Sequence, residues 1–281
     1  MGNLLSIVRE PSTADNYLEY VARFARELKA HVHIVYVEEE YEYTIGRPPA
    51  PGDYAGDEQS KRLGQAARVL SERIDTVLGE FRNDVLLHFS AELASMTSVI
   101  EDFTKSNQTD IVILEAEEPG GFIFASTSND ELIGEIKCPV LLVPRNTVFR
   151  PLKQIVYATA YSEKDLPAMK DLVRLTSSAT PSIRLLHITD EEVSGEQLGK
   201  MNYSDILRNE TGYSDIILEY LERKRNHNIS EQILDYAIRL NADLLVVLKD
   251  DRNFFERIFN PDRTKKIARK HELPLLIYKS A

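Results

Sequence analysis

The residues with the strongest claim to chemistry lie in DIVILEAEEPGGFIFASTS, Asp110 to Ser128. An apolar run ends in carboxylates, Gly120 and Gly121 follow, and Ser126, Thr127 and Ser128 lead into a stretch with helical spacing. Strand, glycine turn and helix N-terminus in that order hold phosphate in many α/β proteins, because free backbone N–H groups and the helix dipole converge on the anion. The charges argue against that chemistry. Glu10, Glu38, Glu39, Glu40, Glu115, Glu117 and Glu118 all follow apolar runs, and the carboxyl ends of strands are where doubly wound sheets bind ligands. A carboxylate repels a phosphate by about 1 kcal/mol or more per close exposed pair. Gly120 and Gly121 then serve as a tight turn, with Ser128 and Glu131 as the capping box of the helix that follows.

A second stretch concentrates positive charge. Between Arg252 and Lys270 there are seven basic residues against Glu256 and Asp262, beside Phe254, Phe255, Ile258 and Phe259. Lys265, Lys266, Arg269 and Lys270 form a candidate docking patch for an anion or a protein, and a solvated helix face is the plainer reading. His31 and His33 alternate on a strand and share a side, but two histidines without a third ligand do not make a metal site, so no metal is expected. His88, His187, His227 and His271 are scattered and no Ser sits in a G-x-S-x-G elbow. No catalytic residue is assigned. The single cysteine, Cys138, precedes the run PVLLV and reads as a buried structural thiol.

Positioning these residues takes two copies of one unit. Asp110 and Asp243 open matching apolar runs 133 residues apart, and Pro139 and Pro274 open the next runs 135 apart. The starts match as well, NLLSIVREPSTADNYLEYVARFA against LKQIVYATAYSEKDLPAMKDLV. A period this long makes each copy a domain rather than a solenoid repeat, and domains 1–147 and 148–281 are expected. Inside each copy, apolar runs of five or six residues alternate with helical spacing, the pattern of βαβ units around a parallel sheet covered on both faces. Strands are predicted near 4–8, 32–37, 84–89, 110–114 and 139–143, then near 153–158, 182–188, 215–220, 243–248 and 274–278. Helices are predicted from a cap at Ser12 or Thr13, over 91–105, and after Ser162 with Asp165. YTIGRPPAPGDYAGDEQS is too rich in Pro and Gly to be regular. The fold class is α/β: two tandem doubly wound domains, each a five-stranded parallel sheet flanked by about four helices. The joint VPRNTVFRPLKQ is short, so the domains are expected to pack on each other.

Of the 281 residues 43% are hydrophobic, enough for packed cores. The net charge of -11 argues against nucleic acid as the principal partner. Residues 1–150 carry 14 basic against 25 acidic side chains and residues 151–281 carry 20 against 20, so the two copies present different surfaces. No apolar run approaches the roughly 20 residues of a membrane span, and the first residues lack the basic start and small-residue cleavage site of a signal peptide. A cytoplasmic location without a membrane partner is expected.

CPVLLVPRN followed by LKQIVYAT resembles the junction of tandem universal stress proteins, and ADLLVVLKDDRNFFERIFNPDRTKKIARKHELPLLIY is similar to their second domain over its whole length. The resemblance spans nearly the full chain, patchily at 40–80 and 190–212. It implies an adenine nucleotide alpha hydrolase-like fold with the two domains paired through their last strands, and it leaves a homo-oligomer open. Family members that bind ATP carry an Asp at the end of the first strand and a G-x2-G-x9-G-[ST] loop after the fourth. Here the Asp position reads Glu10 or Pro11 in the first copy and Ala160 in the second. Only four residues separate Gly121 from Ser126, and the second copy has no glycine in this loop. Glu10, Gly120, Gly121, Ser126 and Thr127 are therefore expected to be a vestigial nucleotide site, without a cofactor. The function expected is stress response through an unidentified protein partner rather than catalysis. The alternative is a nucleotide or small-anion sensor at the loop after the fourth strand of the first domain.

Overall fold

Apolar runs buried on both faces form the spine of each half of the chain. The computed structural model describes residues 2–39, 55–81, 84–106, 109–116, 129–189, 197–224, 229–249 and 273–279, and it divides into two units, Met1–Cys138 and Pro139–Ala281. No described helix is long and apolar enough to cross a membrane.

The first unit runs β1 (Asn3–Val8), α1 (Asp15–Leu28), β2 (His31–Glu38), α2 (Ala55–Leu78), β3 (Leu87–Leu93), α3 (Met96–Ser106), β4 (Ile111–Glu115) and α4 (Asn129–Glu135). Its strands are parallel in the order β3-β2-β1-β4. Leu4, Leu5, Ile7 and Val8 of β1 and Ile111 to Leu114 of β4 are all buried. These runs lack polar alternation because both faces of a parallel sheet are covered, and each such side chain contributes about 1.5–3 kcal/mol by its burial. α1 buries Tyr17, Leu18, Val21, Phe24, Ala25 and Leu28 on one stripe. It stops at Lys29, whose left-handed backbone (φ 51°) turns its N–H back onto the Ala25 and Arg26 carbonyls. Beneath α1 the buried Ser6 hydroxyl donates to the Tyr17 hydroxyl at 3.0 Å, which donates to the Ile113 carbonyl at 2.9 Å. Burial, above all, raises the pKa of Tyr17 and keeps it a donor.

The second unit runs β5 (Val140–Val143), β6 (Gln154–Ala158), α5 (Asp165–Leu175), β7 (Ser182–Thr189), α6 (Gln197–Thr211), β8 (Ile216–Glu222), α7 (Ile229–Arg239), β9 (Leu244–Lys249) and β10 (Leu275–Lys279). Five strands are parallel in the order β8-β7-β6-β9-β10. β5 pairs antiparallel with β10, Leu141 opposite Leu276. The strand order β3-β2-β1-β4 recurs as β8-β7-β6-β9, which is the doubly wound arrangement the repeat implies.

The aspartates that open the repeated runs tie the fourth strand of each copy to its first. Asp110 Oδ2 accepts the Asn3 N–H at 2.8 Å, and the Asp110 N–H donates to the Asn3 carbonyl at 2.8 Å. Asp243 Oδ2 accepts the N–H groups of Lys153 and Gln154 at 2.9 and 3.0 Å, while its own N–H donates to the Gln154 carbonyl at 2.8 Å. Arg150 Nε stands 3.4 Å from Asp243 Oδ1. The shared clamp sets the correspondence of the copies: Asn3 matches Gln154, Ser6 matches Tyr157, and Arg9 matches Ala160.

Several elements differ in detail from the sequence expectation. The third strand begins at Leu87 because Asp84 and Val85 turn their N–H groups onto the Phe81 carbonyl. The helix expected from 91 begins at Met96: residues 91–93 remain in β3, paired with β2, and the Ser95 hydroxyl accepts the Ser98 N–H at the helix start. α1 is not capped by Ser12 or Thr13; a short turn at Pro11–Thr13 intervenes, capped by the Glu10 carboxylate. Ala55 to Ser60, expected as loop, belong to α2. Cys138 is partly exposed rather than buried. Four helices fall in the first unit and, among the described residues, three in the second. β5, which follows Cys138, is grouped with the second compact unit and pairs with β10.

Asp243→Ala should destabilise the chain by about 2–4 kcal/mol in urea or thermal melts, since its carboxylate takes two charge-assisted hydrogen bonds and its side chain is only 9% exposed. An unchanged melt would show that the clamp contributes nothing. A second test concerns His33, whose ring lies 3.1 Å from the Ser90 hydroxyl, 4.5 Å from Phe103 and 6.0 Å from His88. Burial first, then His88, lowers its pKa from 6.5, against the pull of Glu92. Above the ordinary histidine range both states are neutral. As pH falls below about 6.5 the unfolded chain takes up a proton that the folded chain resists, so stability declines until the folded group protonates too. In His33→Gln the difference in melting temperature between about pH 7.5 and about pH 5.5 should shrink relative to the unmodified chain.

Candidate functional site

Ligands in this fold lie at the carboxyl ends of the strands, where the strand order reverses. In the first unit that place falls between β1 and β4, and the chain's own side chains bridge it. Arg9, just past β1, donates from Nη2 to Asn129 Oδ1 at 2.9 Å, and Asn129 Nδ2 donates to the Glu115 carbonyl at the end of β4, also at 2.9 Å. Asn129 opens α4 and is 6% exposed. The bridge therefore spans the first unit's reversal point. Glu10 turns away from it, its Oε1 accepting from the Ser12 hydroxyl at 2.6 Å and the Ser12 N–H at 3.3 Å. At the end of β2 the Tyr36 hydroxyl donates to the Glu38 carboxylate. Burial, then Glu38 and Glu10, raises the Tyr36 pKa against the pull of Arg62.

The second unit fills the equivalent edge with rings. Asp165, 1% exposed at the start of α5, gathers the loop that leaves β6. Its Oδ1 accepts from the Tyr157 hydroxyl at 3.0 Å. Its Oδ2 accepts from the Thr159 hydroxyl at 2.6 Å and the Ser162 N–H at 3.1 Å, and it shares the Tyr203 hydroxyl proton, at 3.0 Å, with the Ser162 carbonyl at 2.9 Å. The Ser162 hydroxyl accepts the Lys164 N–H at 3.2 Å, which with Asp165 completes a reciprocal helix cap. Burial, then the Asp165 charge, raises the pKa of both Tyr157 and Tyr203, so both act as neutral donors. Ser6 with Tyr17 and Tyr157 with Asp165 are opposite solutions to one packing problem: a small strand residue with a large helix residue, then the reverse.

Around this carboxylate four rings converge. Tyr161 lies 4.1 Å from His187, 5.1 Å edge-on from Tyr203 and 6.2 Å from Tyr220, with His187 and Tyr220 6.4 Å apart. His187 and Tyr220 are register partners near the ends of β7 and β8. The His187 Nδ1 lies 3.0 Å from the Thr159 carbonyl, which places the ring proton on Nδ1. Tyr161 has φ 57°, a left-handed backbone that costs an L residue about 1–2 kcal/mol. Its N–H donates to the Thr159 hydroxyl at 2.9 Å, and burial, then the Tyr220 hydroxyl beside it, raises its pKa.

Of the positions singled out in the sequence, Glu10 is bonded to Ser12, and strand register matches Ala160 to Arg9 rather than to Glu10 or Pro11. Gly120, Gly121, Ser126 and Thr127 lie outside the described residues, as do Ser128 and the patch Lys265, Lys266, Arg269 and Lys270. Among the described residues no group of three or more His, Cys, Asp or Glu is placed to hold a metal. Sequence reasoning missed Arg9, Asn129, Tyr161, His187, Tyr203 and Tyr220. Aligning the strand ends would have shown His187 and Tyr220 side by side, but nothing local marks Tyr203, which arrives on α6. A cleft of about 480 Å³ beside the end of β8 is lined by Glu222, Arg223, Lys224, Gln232, Asp235 and Arg239, whose mixed charges favour neither sign of ligand.

Comparison with known proteins agrees with this architecture. A universal stress protein from Archaeoglobus fulgidus is similar in structure with a TM-score of 0.64 and 12% identity, covering 99% of this chain and 96% of that one. A universal stress protein from Pseudomonas aeruginosa, itself assigned provisionally, gives 0.55 and 16%, covering 99% and 92%. The cytoplasmic domain of a prokaryotic cation chloride cotransporter gives 0.56 and 14%, covering 98% and 94%. At these identities the likeness concerns the fold alone. A search of the curated proteins returned no match. The family model for universal stress proteins matches residues 1–144, and the chain belongs to the universal stress protein family.

Proposed function

We propose that this chain acts in the stress response through contacts with other proteins, in the cytoplasm, and that neither copy turns over or firmly holds ATP. The observation that carries this reading is that both carboxyl edges are occupied by the chain's own side chains. Arg9 and Asn129 bridge β1 to β4, and Tyr161 packs among three rings beside β6. A nucleotide would have to break those contacts and then meet Glu10, Glu38 and Glu115 in the first copy or an uncharged Ala160 in the second. The β5–β10 ladder supports pairing of the two sequence copies through their last strands. Beyond that, a homo-oligomer or a separate protein is the partner.

A second reading, a small-anion sensor at the edge of the first unit, draws on Arg9, which sets a guanidinium at the end of β1. Thermal shift separates the two. A ligand that does not bind the native state cannot stabilise it, whereas one at 100 times its Kd adds about 2.7 kcal/mol. ATP, AMP and inorganic phosphate at millimolar concentration should leave the melting temperature unchanged. A saturable shift that Arg9→Gln abolishes would replace the first reading with the second.

The basic patch offers the test of the interaction itself. Changing Lys265, Lys266, Arg269 and Lys270 together to Gln should weaken salt-sensitive capture of partner proteins, since exposed charges are screened beyond about 10 Å at 0.1 M salt. The melting temperature should stay nearly constant, because surface substitutions cost within about 0.5 kcal/mol. Capture of the same proteins at the same salt by the folded variant would remove the patch from the account.

A further inference from the structure

Among the described residues, the sheet of each unit ends in a strand with a neighbour on one side only, β3 in the first and β8 in the second. We propose that the open side of β3 is where two copies of this chain meet, their β3 strands paired antiparallel about a two-fold axis at Ser90. This deepens the reading above, in which a homo-oligomer is one of the partners, by naming the surface that joins it.

The two edges are built differently. On β8 the register with β7 turns the backbone groups of Ile216, Leu218, Tyr220 and Glu222 outward. At one end of that edge Arg208 Nε donates to the Ile216 carbonyl at 2.8 Å. At the other the Gln232 amide donates to the Glu222 carbonyl and accepts the Lys224 N–H, both at 3.2 Å, as the backbone of a neighbouring strand would. Side chains that occupy an edge keep a further strand off it. On β3 the Val32 N–H donates to the Leu86 carbonyl at 3.0 Å and the Ala94 N–H to the Glu38 carbonyl at 3.2 Å, so the even-numbered residues serve the ladder with β2. The backbone groups of Leu87, Phe89, Ala91 and Leu93 therefore point away from β2. Among the described residues no strand and no side chain bonds them. No residue of β3 is buried, and Leu86 just before it is 50% exposed.

The side chains say what fits there. LHFSAEL is complementary to itself when a second copy is laid antiparallel with Ser90 opposite Ser90. Leu87 then faces the partner's Leu93, His88 the partner's Glu92 and Phe89 the partner's Ala91. The exposed Leu86 faces the partner's Ala94. Apolar meets apolar, a large side chain meets a small one, and an imidazole N–H meets a carboxylate; pairs of these kinds contribute about 0.2–1 kcal/mol each. The same register makes Leu87 with Leu93, and Phe89 with Ala91, hydrogen-bonded pairs that exchange both backbone bonds. His88, Ser90 and Glu92 fall at the other positions, where facing side chains lie closer. A shift of two residues either way parts His88 from the partner's Glu92, so the register is specified. The equivalent pairing of β8, centred on Glu219, would set two carboxylates against each other.

Sedimentation equilibrium of the full chain should show a dimer that dissociates on dilution. Ala91→Pro tests the backbone pairing, because the Ala91 N–H points away from β2 and proline there removes no bond from the β2–β3 ladder. It should be monomeric with a melting temperature close to that of the unmodified chain. Glu92→Lys tests the register and should raise the dissociation constant at least about tenfold. Adding His88→Glu should restore the affinity, since opposite charges again face each other. A chain that stays monomeric from micromolar to near-millimolar concentration overturns the proposal, as does a dimer that a folded Ala91→Pro leaves intact or a loss in Glu92→Lys that His88→Glu does not restore. If Ala91→Pro does not fold, Glu92→Lys and its rescue decide alone. A monomeric chain would remove this surface only, because capture of other proteins through the basic patch is measured separately.

Discussion

Parallel strands have no hairpin to set their register, and a slip of one residue would turn every side chain of a strand to the opposite face. In this protein the register of the first strand against the fourth is held by a carboxylate in each copy. Asp110 grips the backbone of Asn3, and Asp243 grips that of Lys153 and Gln154. The clamps sit at the amino ends of the strands, yet they decide what stands at the carboxyl ends. Arg9 reaches Asn129, and the loop from Thr159 to Ser162 reaches Asp165, because β1 and β6 are seated where the aspartates place them.

From that common frame the two copies diverge at the edge where the fold places ligands. The first closes the gap between β1 and β4 with hydrogen bonds, Arg9 to Asn129 to the Glu115 carbonyl. The second buries a carboxylate, surrounds it with four donors and roofs it with rings. Burying a charge is costly unless its lone pairs are met, and Asp165 meets that condition without a basic partner among its hydrogen bonds. The strain at Tyr161 is held by the same network, since the Thr159 hydroxyl that donates to Asp165 also accepts the Tyr161 N–H. The copies thus share a scaffold and not a site, which is how one fold carries different surfaces.

The strands were legible in the residues. Runs such as LLVV and IVIL can only be buried, and a buried run of that length between turn residues is a strand in a parallel sheet. The matching Asp and Pro positions made the repeat visible before any geometry. Boundaries were less so: β3 extends through Leu93 because its partner β2 continues to Glu38, a pairing that helical spacing within 91–105 cannot reveal.

The sequence by itself determined the α/β class, the duplication and the acidic first half, because each is a property of neighbours along the chain. Only the tertiary structure decided that β5 forms a ladder with β10, that Arg9 meets Asn129 across 120 residues, and that Tyr161, His187, Tyr203 and Tyr220 share one place. Those contacts join the ends of different strands with a ring from α6. Their partners are chosen by sheet order and register, which emerge from the packing of the whole unit and are written in no local stretch of residues.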